Sequence, residues 1–382
     1  MCESNCNNNL CAVLHGKDDI RMEGREVPKP KPNQLLIKIH TVGICGTDVH
    51  YWKHAKIGEF TVTKPMVLGH ESSGTVAAVG SDVKGFSIGD RVALEPGVAC
   101  RVCMACKTGK YNVCDDVRFF ANPPYDGSLA RYVVHDADFC FRLPDNVTME
   151  EGSMAEPLSV GVHACRRAEV SIAQKILILG AGPIGLVNMV CAKAMGASQV
   201  IMTDICDSRL ELAKKLGADR TLNVNGMSAS AASEAIIVSL GQRPDAHHDQ
   251  CYLVTYCTEL ILKNNRSIRK TCVILHKSAA NYLNRIKFYV VKRGGILVLV
   301  GLGGHHAQLF YTEAAMREID IRGAFRYVNC FPTAIELISS GKVDLSGFTR
   351  AHYKLEESVE AFQRSLKGDV VKVFIHCDDA TE

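Results

Sequence analysis

A chain of 382 residues is long enough for two domains, and its 47% hydrophobic and 22% charged content is typical of a globular protein. This balance excludes a disordered or fibrous protein. The formal net charge of +3 gives no reason to expect nucleic acid or a membrane surface as a partner. No signal-peptide pattern and no membrane-spanning apolar run are found in the sequence. We therefore expect the 17 cysteines to be free thiols or metal ligands in the cytoplasm.

Short apolar runs alternate with turn residues in the first third of the chain. The runs cover residues 34–40, 74–79, 90–94 and 130–134, and Gly and Pro lie between them. Short strands spaced in this way predict a compact, mainly antiparallel β domain.

A first candidate metal site combines three residues of this region. Cys45 lies in a glycine-flanked turn after the predicted strand 34–40, and His70 and Glu71 are consecutive. One sulfur, one nitrogen and one oxygen ligand leave a fourth position open, which is typical of a catalytic zinc site. The alternative is that each is an ordinary buried residue.

Four cysteines follow within a short stretch. Cys100, Cys103 and Cys106 occur at every third position, and Cys114 completes the set. Four thiolates close a tetrahedral shell, so this tetrad predicts a structural zinc site. Chance grouping or disulfide pairing is the alternative.

Strands and helices alternate after about residue 156. The pattern predicts strands at 175–180, 199–204 and 220–224 and helices at 183–196 and 208–216. This spacing is typical of a doubly wound parallel sheet.

The first strand-to-helix turn of that region carries a glycine pattern. Gly180 permits a tight turn, Gly182 allows the backbone to approach a pyrophosphate, and Gly185 allows close packing of helix on strand. Asp204 ends the next strand, where an acid accepts hydrogen bonds from the ribose hydroxyls and repels a 2′-phosphate. NAD is therefore favoured over NADP. Arg209 leaves NADP open, since it can flank the adenine or hold a phosphate.

These motifs together resemble the zinc-containing medium-chain dehydrogenases, and in particular their polyol-oxidising branch. Gly69-His-Glu and Glu156-Pro-Leu-Ser-Val-Gly separate this branch from the alcohol dehydrogenases, which have cysteine in place of Glu156. The resemblance covers residues 43–52, 65–80, 89–96, 143–167, 178–204 and 294–329. It implies an α/β protein with a GroES-like β-rich catalytic domain (residues 1–160), a Rossmann domain (161–325) and a C-terminal stretch (326–382) that completes the catalytic domain.

The resemblance also implies roles for individual residues. Cys45, His70 and Glu71 hold the catalytic zinc, and Glu156 either ligates it directly or holds a zinc-bound water. Thr47 passes the alcohol proton toward solvent. The polyol hydroxyls are held by Tyr51, Glu156, Arg326 and Tyr327. The cofactor is lined by Ile184, Val300, Gly301, Leu302, Ala324, Phe325 and Arg326, in addition to the glycines, Asp204 and Arg209.

The activity implied is the zinc-dependent oxidation of sorbitol and related polyols to ketoses such as fructose, with hydride transfer to NAD. A cytoplasmic homotetramer or dimer is implied as well. Two alternatives remain open. One is another zinc alcohol or threonine dehydrogenase, and the other is an isoform that binds zinc without catalysis.

Residues 246–293 depart from the family pattern. This segment is longer than expected and contains nine basic but only two acidic residues, an excess larger than the +3 of the whole chain. It is a basic insertion for an acidic partner, a loop variant, or foreign sequence that has replaced a sheet strand. Its irregular pattern favours the third interpretation, with a substitute strand at 272–276 or 288–291.

Overall fold

The computed structural model describes residues 9–240, 251–255, 257–260, 269–272, 290–291, 293–301 and 311–378. The chain forms two compact units. The first unit comprises Met1–Glu156, Phe331–Gly341 and Phe348–Glu382, and the second comprises Pro157–Cys330 and Lys342–Gly347. The domain boundaries at residues 160 and 325 stay a prediction. Within the described ranges, no helix has the length and apolar character needed to cross a membrane.

The N-terminal part of the first unit is built mainly from strands. These are β1 (Asn9–Gly16), β2 (Asp19–Arg25), β3 (Gln34–Gly43), β4 (Lys56–Ile57), β5 (Phe60–Thr61), β6 (Met66–Val67), β7 (Glu71–Val79), β8 (Arg91–Leu94), β9 (Gly97–Val98), β10 (Arg118–Phe119), β11 (Tyr132–Asp136) and β12 (Cys140–Arg142). The helices are α1 (Gly46–His54), α2 (Met104–Lys107), α3 (Met149–Ser153) and α4 (Ala155–Arg167), the last of which continues into the second unit.

Strands and helices alternate in the second unit. Its strands are β13 (Lys175–Leu179), β14 (Gln199–Asp204), β15 (Arg220–Asn223), β16 (Cys251–Thr255), β17 (Cys257–Leu260), β18 (Arg269–Cys272), β19 (Ile296–Val300) and β20 (Asp320–Ala324). Its helices are α5 (Pro183–Ala194), α6 (Asp207–Lys215), α7 (Ala229–Ser239) and α8 (Tyr311–Met316). The chain then returns to the first unit with α9 (Phe331–Ser339), β21 (Arg350–Lys354), α10 (Ser358–Lys367) and β22 (Lys372–His376).

The main sheet of the first unit joins both ends of the chain. Its strand order is β12-β8-β7-β3-β22-β21, and β11 also pairs with β3. In β3, Leu35, Ile37 and Ile39 are buried while Lys38 is exposed, as expected of a strand with one face on the core. The antiparallel β domain predicted from the first third of the chain is confirmed.

The second unit contains a six-stranded parallel sheet in the order β15-β14-β13-β16-β19-β20. Leu177, Ile201, Ile236 and Leu297 belong to its buried core. The predicted doubly wound α/β architecture is confirmed, with helix and strand ends that differ from the prediction by up to two residues.

The prediction of a lost sheet strand in residues 246–293 is wrong. Strand β16 (Cys251–Thr255) pairs in parallel with β13 on one side and with β19 on the other. Its aromatic and β-branched residues favour a strand despite the irregular sequence around it. Neither suggested substitute supplies a strand of this sheet in the part of the chain that the structure describes, because Cys272 ends β18 in a separate antiparallel pair with β17. Residues 273–276 and 288–289 lie outside the described residues.

Candidate active site

The three residues of the first predicted metal site come together in the first unit. Cys45 is the N-cap residue of α1, His70 immediately precedes β7, and Glu71 begins that strand. One ligand atom from each of them lies within 4.8 Å of the others. His70 and Glu71 are buried, and Cys45 is half-buried. The loop before α1 and the start of β7 therefore place one sulfur, one nitrogen and one oxygen donor around one point.

Asp48 supports this triad, although sequence reasoning did not select it. Its Oδ1 lies 3.3 Å from His70 Nδ1 and accepts a hydrogen bond from the Gly69 amide at 3.1 Å. Its Oδ2 accepts a hydrogen bond from the Cys45 amide at 3.3 Å. Fully buried Asp48 thus ties both ligand segments together and orients the His70 ring, as carboxylates behind zinc-ligating histidines do.

The electrostatics of His70 follow from these contacts. Burial by itself lowers the pKa of His70, but the Asp48 carboxylate and the Cys45 sulfur outweigh it and raise that pKa well above its ordinary value. The groups around the His70 ring therefore favour a positive charge at this position. Metal binding releases the imidazole proton.

Lys372 was also missed by sequence reasoning. This buried lysine of β22 forms an ion pair with Oε2 of Glu71. Burial lowers the pKa of Lys372, whereas Glu71 and then Cys45 raise it, and the outcome is a pKa above the ordinary value. The buried Glu71 carboxylate is thereby compensated by a lysine from the far end of the chain.

Both missed residues leave a signal in the sequence. Asp48 is the N3 residue of α1 and completes a capping box with Cys45. Lys372 begins β22 directly before the apolar residues 373–375, and a charge in such a position is rarely buried unless it is paired. The sequence therefore marks them as unusual, but it does not reveal which partner each one meets.

The donor set fits zinc. Thiolate, imidazole and carboxylate are the ligand types of catalytic zinc sites, and three of them leave room for a water or substrate oxygen. Glu156 does not belong to the set of close ligand atoms among the described residues. It is buried at the start of α4, and its charge is one of those that raise the pKa of Lys372.

Two other predicted residues of the first unit lie on α1. Thr47 is half-buried in the first turn of this helix. Tyr51 is buried, and its hydroxyl donates a hydrogen bond to Asn122 Oδ1 at 3.2 Å. Asn122 is a polar neighbour that the sequence did not single out.

The four cysteines of the tetrad also converge, with their ligand atoms within 4.8 Å of one another. Cys103 Sγ lies 3.5 Å from Cys106 Sγ, and Cys100 Sγ lies 3.9 Å from Cys106 Sγ. These separations are far longer than the roughly 2.05 Å of a disulfide bond, and all four residues are free thiols. The disulfide alternative is thus excluded for this structure.

The pKa values of the thiols in the tetrad differ, because the loop stabilises the thiolate of one cysteine more than that of another. The backbone amides of Cys103 and Val102 lower the pKa of Cys100 to about 7. Burial, followed by the hydrogen bond with Cys103, raises the pKa of Cys106 to about 12. Four thiolates so close together require a cation, and a set of four cysteine ligands fits a closed zinc site.

The glycine turn of the second unit has the predicted geometry. Gly180 follows β13 with a φ of +103°, a conformation that favours glycine. Gly182 is the N-cap residue of α5. A Cβ atom at Gly185 would overlap the carbonyl oxygen of Gly180, so only glycine fits at this crossing. The glycines thus keep side-chain atoms away from the turn that leads into α5, and backbone amides at the start of a helix are groups that bind a phosphate.

Asp204 lies beside this turn. Its Oδ2 accepts a hydrogen bond from the Ala181 amide at 2.8 Å, which ties the end of β14 to the turn. Its Oδ1 accepts hydrogen bonds from the Ile205 and Cys206 amides at 2.8 and 3.0 Å. The buried carboxylate thus has a fixed orientation at the carboxyl edge of the sheet.

The remaining predicted cofactor residues lie on or near α5, α6 and the ends of β19 and β20. Ile184 and Val300 are buried, whereas Arg209, Ala324 and Phe325 are half-buried and Gly301 is exposed. Val300 pairs with Ala324 in the sheet register. Leu302 lies outside the described residues.

The predicted substrate residues belong to both units. Tyr51 and Glu156 are in the first unit, and Arg326 and Tyr327 are in the second. Arg326 has a φ of +53°, and its guanidinium lies 4.7 Å from the Phe325 ring centroid. Tyr327 is buried.

Comparison with known proteins defines the class. Residues 31–145 match the model of the alcohol dehydrogenase GroES-like domain, and residues 183–251 match that of zinc-binding dehydrogenases. An oxidoreductase of unknown specificity from Escherichia coli superposes with a TM-score of 0.83 at 34% identity, covering 97% of this chain and 99% of that chain. L-Idonate 5-dehydrogenase from Escherichia coli superposes with a TM-score of 0.81 at 27% identity, covering 97% and 98%.

Curated relatives narrow the class. The sorbitol dehydrogenase of Bos taurus is 45% identical over 370 residues, 97% of this chain and 96% of that protein. Human sorbitol dehydrogenase is 43% identical over 375 residues, 98% of each chain. The chain therefore belongs to the zinc-binding dehydrogenases and, within them, to the sorbitol dehydrogenase family, which confirms the resemblance inferred from its motifs.

Proposed function

We propose that this protein oxidises sorbitol and related polyols to ketoses, with zinc at Cys45, His70 and Glu71 and with NAD as the hydride acceptor. The observation that carries the proposal is the buried triad of sulfur, nitrogen and oxygen donors, held by Asp48 and Lys372. When bound, zinc supplies Lewis-acid catalysis that favours loss of the hydroxyl proton of a secondary alcohol.

The protein's own residues complete the reaction. Thr47 lies two residues after Cys45 and passes the alcohol proton toward solvent. Glu156 holds a water or substrate oxygen, a role supported by its burial at the start of α4 and by the effect of its charge on Lys372, which pairs with Glu71. Tyr51, Glu156, Arg326 and Tyr327 bind the remaining hydroxyls, because an apolar alcohol would leave these groups unpaired.

The second unit binds the dinucleotide in this proposal. The glycine turn at residues 180–185 and the start of α5 would hold the pyrophosphate, and the oriented Asp204 carboxylate would accept hydrogen bonds from the ribose hydroxyls, which is supported by the fixed position of Asp204 beside the turn. The same charge repels a 2′-phosphate, which supports NAD over NADP despite Arg209. Gly180, Gly182, Ile184, Gly185, Val300, Gly301, Leu302, Ala324, Phe325 and Arg326 complete the cofactor set.

The tetrad holds a structural zinc, and the two units act as the catalytic and nucleotide-binding domains of a cytoplasmic homotetramer or dimer. The free cysteines of the described ranges support a reducing compartment.

Steady-state kinetics test this proposal. NADH formation from sorbitol is measured for the parent protein, for Cys45→Ser and for Glu156→Gln, while zinc per chain is measured by mass spectrometry. We expect Cys45→Ser to lose activity together with one zinc, and Glu156→Gln to lose activity with zinc retained. Cys11→Ala, which removes a buried thiol that is remote from both ligand sets in sequence, is the control for cysteine loss.

Two results would contradict the proposal. One is sorbitol oxidation by Cys45→Ser at the parent rate. The other is a parent protein that holds zinc but neither binds NAD nor turns over, which would favour the inactive isoform.

A further inference from the structure

We propose that Glu150, His352 and His376 form a third metal site, specific for zinc and similar borderline cations, on the first unit. One ligand atom from each lies within 4.8 Å of the others, and none of the three belongs to the two sites described above. The proposal does not depend on the activity of the protein.

Three elements supply the three ligands. Glu150 lies on α3, His352 is in the middle of β21, and His376 ends β22. In the parallel register, His352 is opposite Phe374, so His376 lies two residues further along the same face. The sheet therefore brings two imidazoles to one side, where α3 adds a carboxylate.

The distances suit a tetrahedral ion. His352 Nδ1 lies 3.1 Å from Glu150 Oε1 and 3.1 Å from His376 Nε2, and His376 Nε2 lies 3.6 Å from Glu150 Oε1. Zinc–nitrogen and zinc–oxygen bonds of about 2.0–2.1 Å place tetrahedral ligands about 3.3–3.4 Å apart. The three observed separations bracket that value.

Neighbouring groups orient the ligands. Arg350 Nη1 donates a hydrogen bond to the other carboxylate oxygen of Glu150, Oε2, at 2.8 Å, which leaves Oε1 directed at the histidines. The second ring nitrogen of His376, Nδ1, lies 3.5 Å from Thr41 Oγ1. Thr41 Oγ1 is in turn 2.8 Å from His40 Nδ1. Such polar contacts behind an imidazole fix its orientation, as in known zinc sites.

Charge and exposure define the ligand class. Arg350 opposes a cation, whereas Glu150 and Asp378, which lies 3.2 Å from His40 Nε2, favour one. Two imidazoles with one carboxylate select zinc over magnesium or calcium, which prefer oxygen ligands. The rings of His352 and His376 lie within 8° of parallel, so His352 has to turn to direct both lone pairs at one ion. Its side chain is 47% exposed and has room to do so.

Zinc at this point would join α3 to the C-terminal strand pair. The fourth position faces solvent through the exposed His352, so water fills it. With three ligands and an exposed rim, we expect this site to exchange zinc faster than the two sites described above and to survive purification only in part.

Calorimetric titration tests the inference. Full-length protein that retains its tightly held zinc is titrated with zinc chloride, and His352→Gln, His376→Gln and the control His15→Gln are titrated alongside. His15 is a half-buried histidine paired with Glu23 on another sheet. We expect one additional zinc per chain in the parent and in His15→Gln, and an affinity at least about 10-fold lower in both site variants.

A thermal-shift measurement provides a second readout, because zinc that binds only the folded state raises the melting temperature. The rise is expected in the parent and in His15→Gln but not in His352→Gln. Because the His352 side chain is exposed, we expect His352→Gln to fold normally, so the missing rise would reflect lost zinc binding. Equal zinc affinity in the parent and His352→Gln overturns the proposal, as does the absence of an additional zinc in the parent. A response to magnesium equal to that for zinc overturns the assigned ligand class.

Discussion

The tetrad and the triad of the first unit are both metal-ligand sets, but they are assembled in different ways. All ligands of the tetrad come from one loop between Cys100 and Cys114, and the backbone of that loop supplies its own amides to Cys100. The triad takes its ligands from two segments of the chain. In addition, it depends on an aspartate of α1 and a lysine of β22, which support His70 and Glu71. A local site is thus encoded by spacing, whereas a non-local site depends on the whole sheet.

The largest expected effect comes from removing the most distant contributor. Lys372→Met leaves the Glu71 carboxylate buried without its partner, so we expect zinc-free protein to lose about 3–5 kcal/mol of unfolding free energy. The loss should be smaller with zinc bound, since the ion compensates the same carboxylate. Chemical denaturation of both forms measures this difference.

Lys38→Met is the control, because Lys38 is exposed on β3 of the same sheet. An equal loss of stability in both variants would contradict the role given to Lys372.

The next effect concerns the orientation of His70. Asp48→Asn removes the negative charge beside the His70 ring while keeping the shape of the side chain at position 48. We expect the zinc affinity of the triad to fall about 10–100-fold. Competition with a chelator measures this affinity, with the surface variant Asp19→Asn as the control. Parent affinity in Asp48→Asn would show that backbone packing alone orients His70.

A third prediction concerns the pH dependence of stability where the loop of the tetrad meets the main sheet. The buried ring of His135 contacts the Glu95 carbonyl oxygen through Nε2 at 2.7 Å, at the base of the loop. Burial lowers the pKa of His135 to about 4, below its ordinary value of 6.5. The unfolded state then binds more protons as the pH falls, so this contribution to stability is complete above pH 6.5 and is lost toward pH 4.

Between about pH 7 and about pH 5, the loss from His135 amounts to about 2 kcal/mol. The unfolding free energy of the parent minus that of His135→Gln should fall by this amount. Taking the difference cancels the opposite contribution of Glu95, whose pKa burial raises to about 7. A difference that does not change with pH would contradict a neutral buried His135.

The smallest expected effect is that on kcat when one cysteine of the tetrad is replaced. Cys103→Ser should lose one zinc and lower the melting temperature, while kcat for polyol oxidation stays unchanged because the triad does not share its ligands. Zinc analysis, thermal denaturation and kinetics on one preparation measure all three quantities. A loss of zinc from the triad as well, seen together with a loss of kcat, would show that the two sets depend on each other.

The same contrast explains what the sequence predicted. The ligand sets, the glycine turn and the α/β architecture were predicted, because short-range spacing and periodicity determine them. Asp48 and Lys372 were missed because the metal ligands that they support, His70 and Glu71, are distant from them in the chain. Strand β16 was misjudged because its neighbours along the chain are irregular, although its position in the sheet is set by pairing with β13 and β19.

The C-terminal strand β22 pairs with β3, and it brings Lys372 to Glu71. During synthesis the three triad ligands leave the ribosome long before β22, so their sheet stays incomplete until that strand has been added. The second unit is nearly continuous in the chain and is available to fold first. A chain that stops before β22 would therefore have a folded second unit attached to an unfinished first one, with a Glu71 carboxylate that never meets its lysine.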